Sequence, residues 1–260
     1  MKTIALVAIP TAFMATSANA QSQCDQYVDQ IIAPKTFAQA VAALNIPTPK
    51  GEFETTAAYQ ARVAGSGETG PLIVSKQPED RKYLEYDADR QLFAVKSYFF
   101  HNTNFPVWET FYHAKNGVEA GITYNNIDVV ISETETVTGT YESQNSYGAK
   151  ATVTKITRTY EAIFDRKANY KETLFPSSDV TVGYFPMEIS QAQSFKSQVR
   201  IAFVVSPKSP YVTRAEFSYG TTTVRNPTDV KVNATVLNAD IQCALLMDAS
   251  NKVLAAFATR

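Results

Sequence analysis

The chain is short of the residues from which many catalytic centres are made. Its 260 residues include two histidines, two cysteines and one tryptophan. His101 and His113 fit neither an i, i+4 helical pair nor a zincin motif. Two cysteines near opposite ends do not supply the clustered ligands of a zinc site. No metal and no cofactor is therefore expected. Ser66 has glycine directly on each side rather than at the offsets of a Gly-x-Ser-x-Gly elbow. Lysine and arginine form no run and the formal net charge is −1, which argues against nucleic acid as a partner. After the first 20 residues no apolar run is long enough for a transmembrane helix. No segment is of low complexity, and no fixed-period repeat is present.

What is present begins with an address label. Lys2 is a positive n-region, Ile4–Met14 an apolar h-region, and Ala18-Asn19-Ala20 a small-x-small cleavage motif. The reading is a signal peptide over 1–20, cleaved before Gln21, and hence a periplasmic or secreted chain. Cys24 does not follow the cleavage motif directly, which argues against a lipoprotein. In an oxidising compartment Cys24 and Cys243 are a disulfide pair or two separately buried thiols. The expectation adopted is the disulfide, stapling the N-terminal helix to the C-terminal hairpin. Cys24 shares a helical face with Val28 and Ile31, and Cys243 alternates in phase with Ile241 and Leu245.

Periodicity then divides the chain. Residues 21–65 read as a helical segment: a helix over Cys24–Ile32, another over Thr36–Leu44, a Pro-containing link, and a third over 56–64. From 71 to 260 the pattern is β. Hairpins are expected at Ala88-Asp89-Arg90, at Asn116-Gly117, between Ile127–Tyr141 and Lys150–Phe164, and at Asp248–Asn251. Gly65–Gly70 matches Gly-x-Gly-x-x-Gly but follows a helix and runs into Pro71, so it reads as a turn rather than a phosphate loop. Ser190 to Gln193 reads as a capping box opening a short helix. The fold class is mainly β (α+β): antiparallel sheets packed sandwich-like, with two to three short N-terminal helices. A break near 176–197 is a candidate boundary between two β subdomains.

Between the helical and β parts stands Glu52-Phe53-Glu54-Thr55, followed by Tyr59 and Arg62. This stretch resembles an EFET-x3-Y-x2-R segment of uncharacterised exported bacterial proteins. The resemblance covers about a dozen residues and implies an exported, β-rich protein with no assigned catalytic residue. Ala57 and Ala58 stand where such proteins often carry acidic residues. The helix is expected to dock through Phe53, Tyr59 and Val63, with Arg62 covering Tyr59.

Candidate site residues are few. No catalytic residue is assigned. His113 lies near Trp108 and Tyr112, and these three are the candidate binding residues. Glu133 and Glu135 share a strand face, opposite Lys155 or Arg158 across the hairpin. Thr134, Thr136, Thr138 and Thr140 lie at period two, against Thr152, Thr154, Thr157 and Thr159. That pattern suits a solvated sheet face or a flat adhesive one. The functional expectation is a non-enzymatic envelope or secreted module that binds an envelope protein or glycan. The competing reading is a secreted hydrolase with a site assembled from dispersed residues.

Overall fold

The structure is a computed structural model that describes residues 23–44, 48, 50–65, 70–78, 80–100, 127–165, 180–219 and 222–258. Alternating, β-branched sequence gives long strands here. A six-stranded sheet contains β1 (Leu72–Lys76), β4 (Ile127–Gln144), β5 (Lys150–Asp165), β7 (Arg200–Tyr219), β8 (Thr228–Met247) and β9 (Val253–Ala258). Its order is β1-β7-β8-β5-β4, with β9 also on β8. A three-stranded sheet orders β2 (Leu84–Asp87), β3 (Leu92–Lys96) and β6 (Thr181–Pro186). The chain is thus mainly β, as its composition of alternating segments implied. Two sequence expectations change. β5 and β8 run parallel, from Thr154↔Thr228 to Asp165↔Ala239, so the large sheet is not wholly antiparallel. The break near 176–197 does not separate sheets, because β4 and β5 before it and β7 to β9 after it share one sheet.

β8 organises this sheet because it is long enough to hold two neighbours on one side. β5 pairs along Thr228–Ala239 and β9 along Cys243–Met247, while β7 follows the other side. The Ile241 N–H falls between the two, and Asp165 Oδ2 accepts it at 3.1 Å. β7 passes through an irregular stretch between Pro207 and Val212. At the far ends the two edges approach one another: Lys76 of β1, 3% exposed, donates its ammonium to the Val130 carbonyl of β4. The sheet therefore curls.

The curled face and the three-stranded sheet enclose one apolar core. Phe93 and Phe185 stack at 5.2 Å, and Phe195 meets both edge-on at 5.4 and 5.5 Å. Phe100 lies 5.5 Å from Phe257 and 6.5 Å from Phe203, which carries the aromatic cluster onto the large sheet. Phe195 comes from α3, the helix Ile189–Gln198. Its N-cap is Glu188 with no side-chain bond, so the capping box read at Ser190 is not formed.

The other face of the same strands is covered by the N-terminal segment. Cys24 and Cys243 are bridged, with S–S 2.02 Å and Cα atoms 5.7 Å apart. They pack with Ala202, Val204, Leu245 and Met247. Cys243 is in phase with Leu245 but not with Ile241, which faces the aromatic core. The reason is a bulge: Val204 pairs Cys243 while Val205 pairs Ile241, which reverses the alternation. The expected helix over Cys24–Ile32 is also shortened. Only 23–25 are helical, the chain then turns, and Asp29 adopts φ 66°. Beyond it the backbone pairs with β9, Val253 N–H donating to Gln30 O at 2.9 Å and Ile32 N–H to Asn251 O at 3.1 Å. Ile31 consequently points outward, 75% exposed. Lys35 bonds β1 next, so this strap occupies backbone groups at the edges of both β9 and β1. It ends in α1 (Phe37–Ala42), opened by a Thr36–Gln39 capping box and anchored by buried Phe37 and Ala40.

Candidate functional site

The most extensive arrangement of interaction-capable side chains lies on the half of the large sheet away from the disulfide. Cross-strand pairing places partners on the same face, and so do steps of two along a strand. Thr136, Thr157, Lys231 and Ser218 make one rung across β4, β5, β8 and β7. Thr134, Thr159, Asn233 and Glu216 make the next, and Ser132, Glu161, Thr235 and Arg214 the third. None of these twelve side chains is buried. The rungs are knitted by Ser132 Oγ donating to Glu161 Oε2 at 2.7 Å and by a Lys231–Glu216 ion pair at 2.7 Å. The hydroxyls of Thr134, Thr136, Thr157 and Thr159 have no side-chain partner among the described residues. Among the described residues the result is an exposed to half-buried face of hydroxyls, charges of both signs and the Asn233 amide, whose Oδ1 is buried without a hydrogen-bond partner.

The threonines of β4 do not form one stripe as their period of two predicts. A register shift between Val137 and Gly139 leaves Thr138 unpaired and reverses the faces beyond it. Thr140 then pairs with Thr154 and Glu142 with Thr152, on the opposite side from Thr157 and Thr159. That opposite side also carries Glu135, which Arg158 meets at 2.8 Å, as the hairpin pattern predicts. Its neighbour Glu133 instead accepts the Tyr160 hydroxyl at 3.0 Å.

A second feature is a cleft of about 550 Å³ between α3 and the β8–β9 turn. Met187, Phe195 and Leu254 supply its apolar floor. Ser190, Gln191, Ser194 and Gln198 line one wall, and Asp248, Ser250 and Lys252 stand on the other. Asp248 is committed to its own turn: Oδ1 accepts Ser250 N–H at 2.8 Å, Ser250 Oγ–H at 2.6 Å and Lys252 N–H at 3.0 Å. Burial raises its pKa, but these hydrogen bonds more than offset that, and the carboxyl stays below its ordinary value. Lys252 is held by Asp29 at 2.8 Å, which raises its pKa.

The stretch around Glu54 closes on itself. α2 (Thr56–Gly65) is capped by Thr55 Oγ1, which accepts the Ala58 N–H at 3.1 Å. Arg62 forks onto both carboxylate oxygens of Glu54 at 2.9 Å and onto Thr48. Its guanidinium carbon sits 5.2 Å from the Tyr59 ring centre, the contact that the spacing suggests. The Arg62 hydrogen bonds, with the Gly51 N–H, lower the Glu54 pKa to about 2. Docking through Phe53 is not found: Phe53 is 94% exposed, and no described side chain from Gly51 to Arg62 is buried. The Glu54–Arg62 clamp supplies locally what docking was expected to supply.

Trp108, Tyr112 and His113, together with His101, the Asn116-Gly117 hairpin and the segment 1–20, lie outside the described residues. Among the described residues no three His, Cys, Asp or Glu side chains converge as a metal site would require, and no helix is long and apolar enough to cross a membrane. Fold and surface together define a disulfide-bridged, mainly β protein. No protein-family model, no curated protein and no solved structure matches the chain.

Sequence reasoning found the threonines but missed the rest of this face. Lys231, Asn233 and Thr235 on β8 do alternate with Val230, Val232, Ala234 and Val236, a legible signal. Their placement beside Thr157 and Thr159 follows only from the parallel pairing of β5 with β8.

Proposed function

We propose that the chain is an exported, non-enzymatic binding module of the periplasm or the secreted fraction, and that it engages a component of the cell envelope, protein or glycan, through the polar face of β4, β5, β8 and β7. The observation that carries this reading is the three-rung face itself, on which none of the twelve residues is buried. Sheets facing water are ordinarily polar, but this one brings unpartnered threonine hydroxyls and both charge signs together on one face, which a hydrogen-bonding polymer can match. The Cys24–Cys243 bridge fits an oxidising compartment, and Met1–Ala20 has the form of a signal peptide. The resemblance of Glu52–Arg62 to exported bacterial proteins points the same way.

The reading is tested by co-sedimentation of the purified protein with washed cell envelopes. Thr134→Glu, Thr157→Glu and Thr159→Glu together are expected to abolish sedimentation while leaving the melting temperature near that of the parent. Equal sedimentation of parent and variant would remove the face from consideration. Mass spectrometry of the exported protein is expected to find Gln21 at its N-terminus, and an intact leader on that form would count against export by cleavage.

A further inference from the structure

The cleft beside α3 has a chemistry different from that of the polar face. α3 turns Ser190, Gln191, Ser194 and Gln198 toward it, residues that recur close to every three to four positions. All four are exposed, and none has a side-chain hydrogen-bond partner among the described residues. Of the two charged groups opposite, Lys252 is paired with Asp29, and Asp248 spends Oδ1 on the N–H groups and hydroxyl of its turn. What remains for a ligand is a row of uncharged groups that both donate and accept, above a floor of Met187, Phe195 and Leu254.

We infer that this cleft binds a neutral saccharide. A sugar ring presents hydroxyls that donate and accept at once, which suits serine hydroxyls and glutamine amides on one wall. Its C–H faces are apolar and suit the floor. The volume, about 550 Å³, lies within the usual range of small-molecule sites, roughly 300–1,000 Å³. An anionic ligand would meet the Asp248 carboxylate, find Lys252 already paired with Asp29, and lose hydration without return. An extended peptide is less well served. It is recognised by the backbone of a strand edge with pockets for alternate side chains, whereas the cleft wall is made of helix side chains. The site shares no residue with the rungs of β4, β5, β8 and β7, so the two can fail separately.

The test is a titration of the full folded chain, followed by NMR, with maltotriose and chitotriose as neutral probes. Trigalacturonate is the anionic comparison, and a blocked tetra-alanine peptide is the peptide comparison. Saturable binding of at least one neutral trisaccharide is expected, with shifts centred on Gln191, Ser194 and Ser250. Gln191→Ala with Gln198→Ala removes two hydrogen-bonding groups and is expected to weaken binding about tenfold. Ser194→Trp fills the cleft and is expected to abolish binding. All three positions are exposed, so a parental melting temperature certifies that each variant is folded. Failure of both neutral trisaccharides to bind the parent overturns the inference. So does binding that survives Ser194→Trp, or binding of trigalacturonate or the peptide alone.

Discussion

The two halves of the six-stranded sheet share strands but not surroundings. Near the disulfide, β7 and β8 are buried on both faces, by the aromatic core on one and by the N-terminal strap on the other. Away from it, the same two strands join the β4–β5 hairpin, and one face carries exposed and half-buried polar side chains. β8 records the change along its own length. It alternates from Val230 to Val236, with Lys231 exposed and Asn233 and Thr235 half-buried, and from Leu237 onward is almost continuously buried. The point at which alternation gives way to an unbroken apolar run marks where the sheet acquires its second cover. The binding face we propose exists because that cover stops.

The largest effect should come from the doubly covered half. Phe203 is fully buried, and Phe203→Ala is expected to lower stability by about 3–5 kcal/mol in denaturant unfolding, whereas Thr159→Ala on the open face should change it by less than about 0.5 kcal/mol. Comparable losses at the two positions would erase the distinction drawn between the halves.

Reducing the disulfide, or replacing both cysteines by serine, should cost about 2–5 kcal/mol, because the bridge closes a loop of 219 residues in sequence separation. Amide exchange should then rise first at Asp29, Ile32 and Val253, whose N–H groups tie the strap to β9 and its turn, and the open half should exchange as before. Uniform acceleration would mean that the strap is not a separable layer.

Gly183 probes the seam between the two sheets. A Cβ there would lie 2.4 Å from Phe257 Cε1. Gly183→Ala should therefore destabilise by about 1–3 kcal/mol through overpacking, read as a lower melting temperature. A neutral outcome would show that the seam has slack.

The smallest effect is local and depends on pH. Glu54 titrates at about 2 in the folded chain against an ordinary 4.5. A depressed carboxyl contributes stability that is fully present above the ordinary value and lost as pH falls through the folded one. Acidification from pH 4.5 to about 2 should thus loosen α2 while both halves of the sheet stay intact. A Glu54 side-chain midpoint near 4.5 by NMR would show that the Arg62 fork does not hold in solution.

Local chemistry was the legible part of the sequence. The hairpins at Ala88-Asp89-Arg90, over β4–β5 and at Asp248–Asn251 form where turn residues and alternation place them. The helix at Thr56–Gly65 forms where 56–64 is expected, one residue longer. Arg62 finds Tyr59 and Arg158 finds Glu135 because such pairs are fixed by helix or hairpin geometry over short distances. Errors occur where one residue changes phase. The Val137–Gly139 bulge splits the threonines, the Ile241–Cys243 bulge turns Ile241 away from Cys243, and the positive φ of Asp29 ends a helix that the apolar spacing would continue. A bulge carries little composition signal, yet it inverts every side chain beyond it.

The sequence by itself determined the fold class, the hairpins at Ala88-Asp89-Arg90, over β4–β5 and at Asp248–Asn251, and the helices near Phe37, Thr56 and Ile189, and it narrowed Cys24 and Cys243 to a disulfide or two buried thiols. Those follow from periodicity, turn residues and capping, which act over a few positions. Only the tertiary structure decided that β5 lies parallel to β8, that the strap covers one face near Cys243, and that Lys231 and Asn233 stand beside Thr157 and Thr159. Parallel pairing joins segments separated by a long connection, and its register is set by burial of Val230, Val232 and Ala234 on the opposite face rather than by any local signal. The polar face is the consequence of that register: once those side chains turn inward, their alternating neighbours Lys231, Asn233 and Thr235 stand on the opposite face, exposed or half-buried.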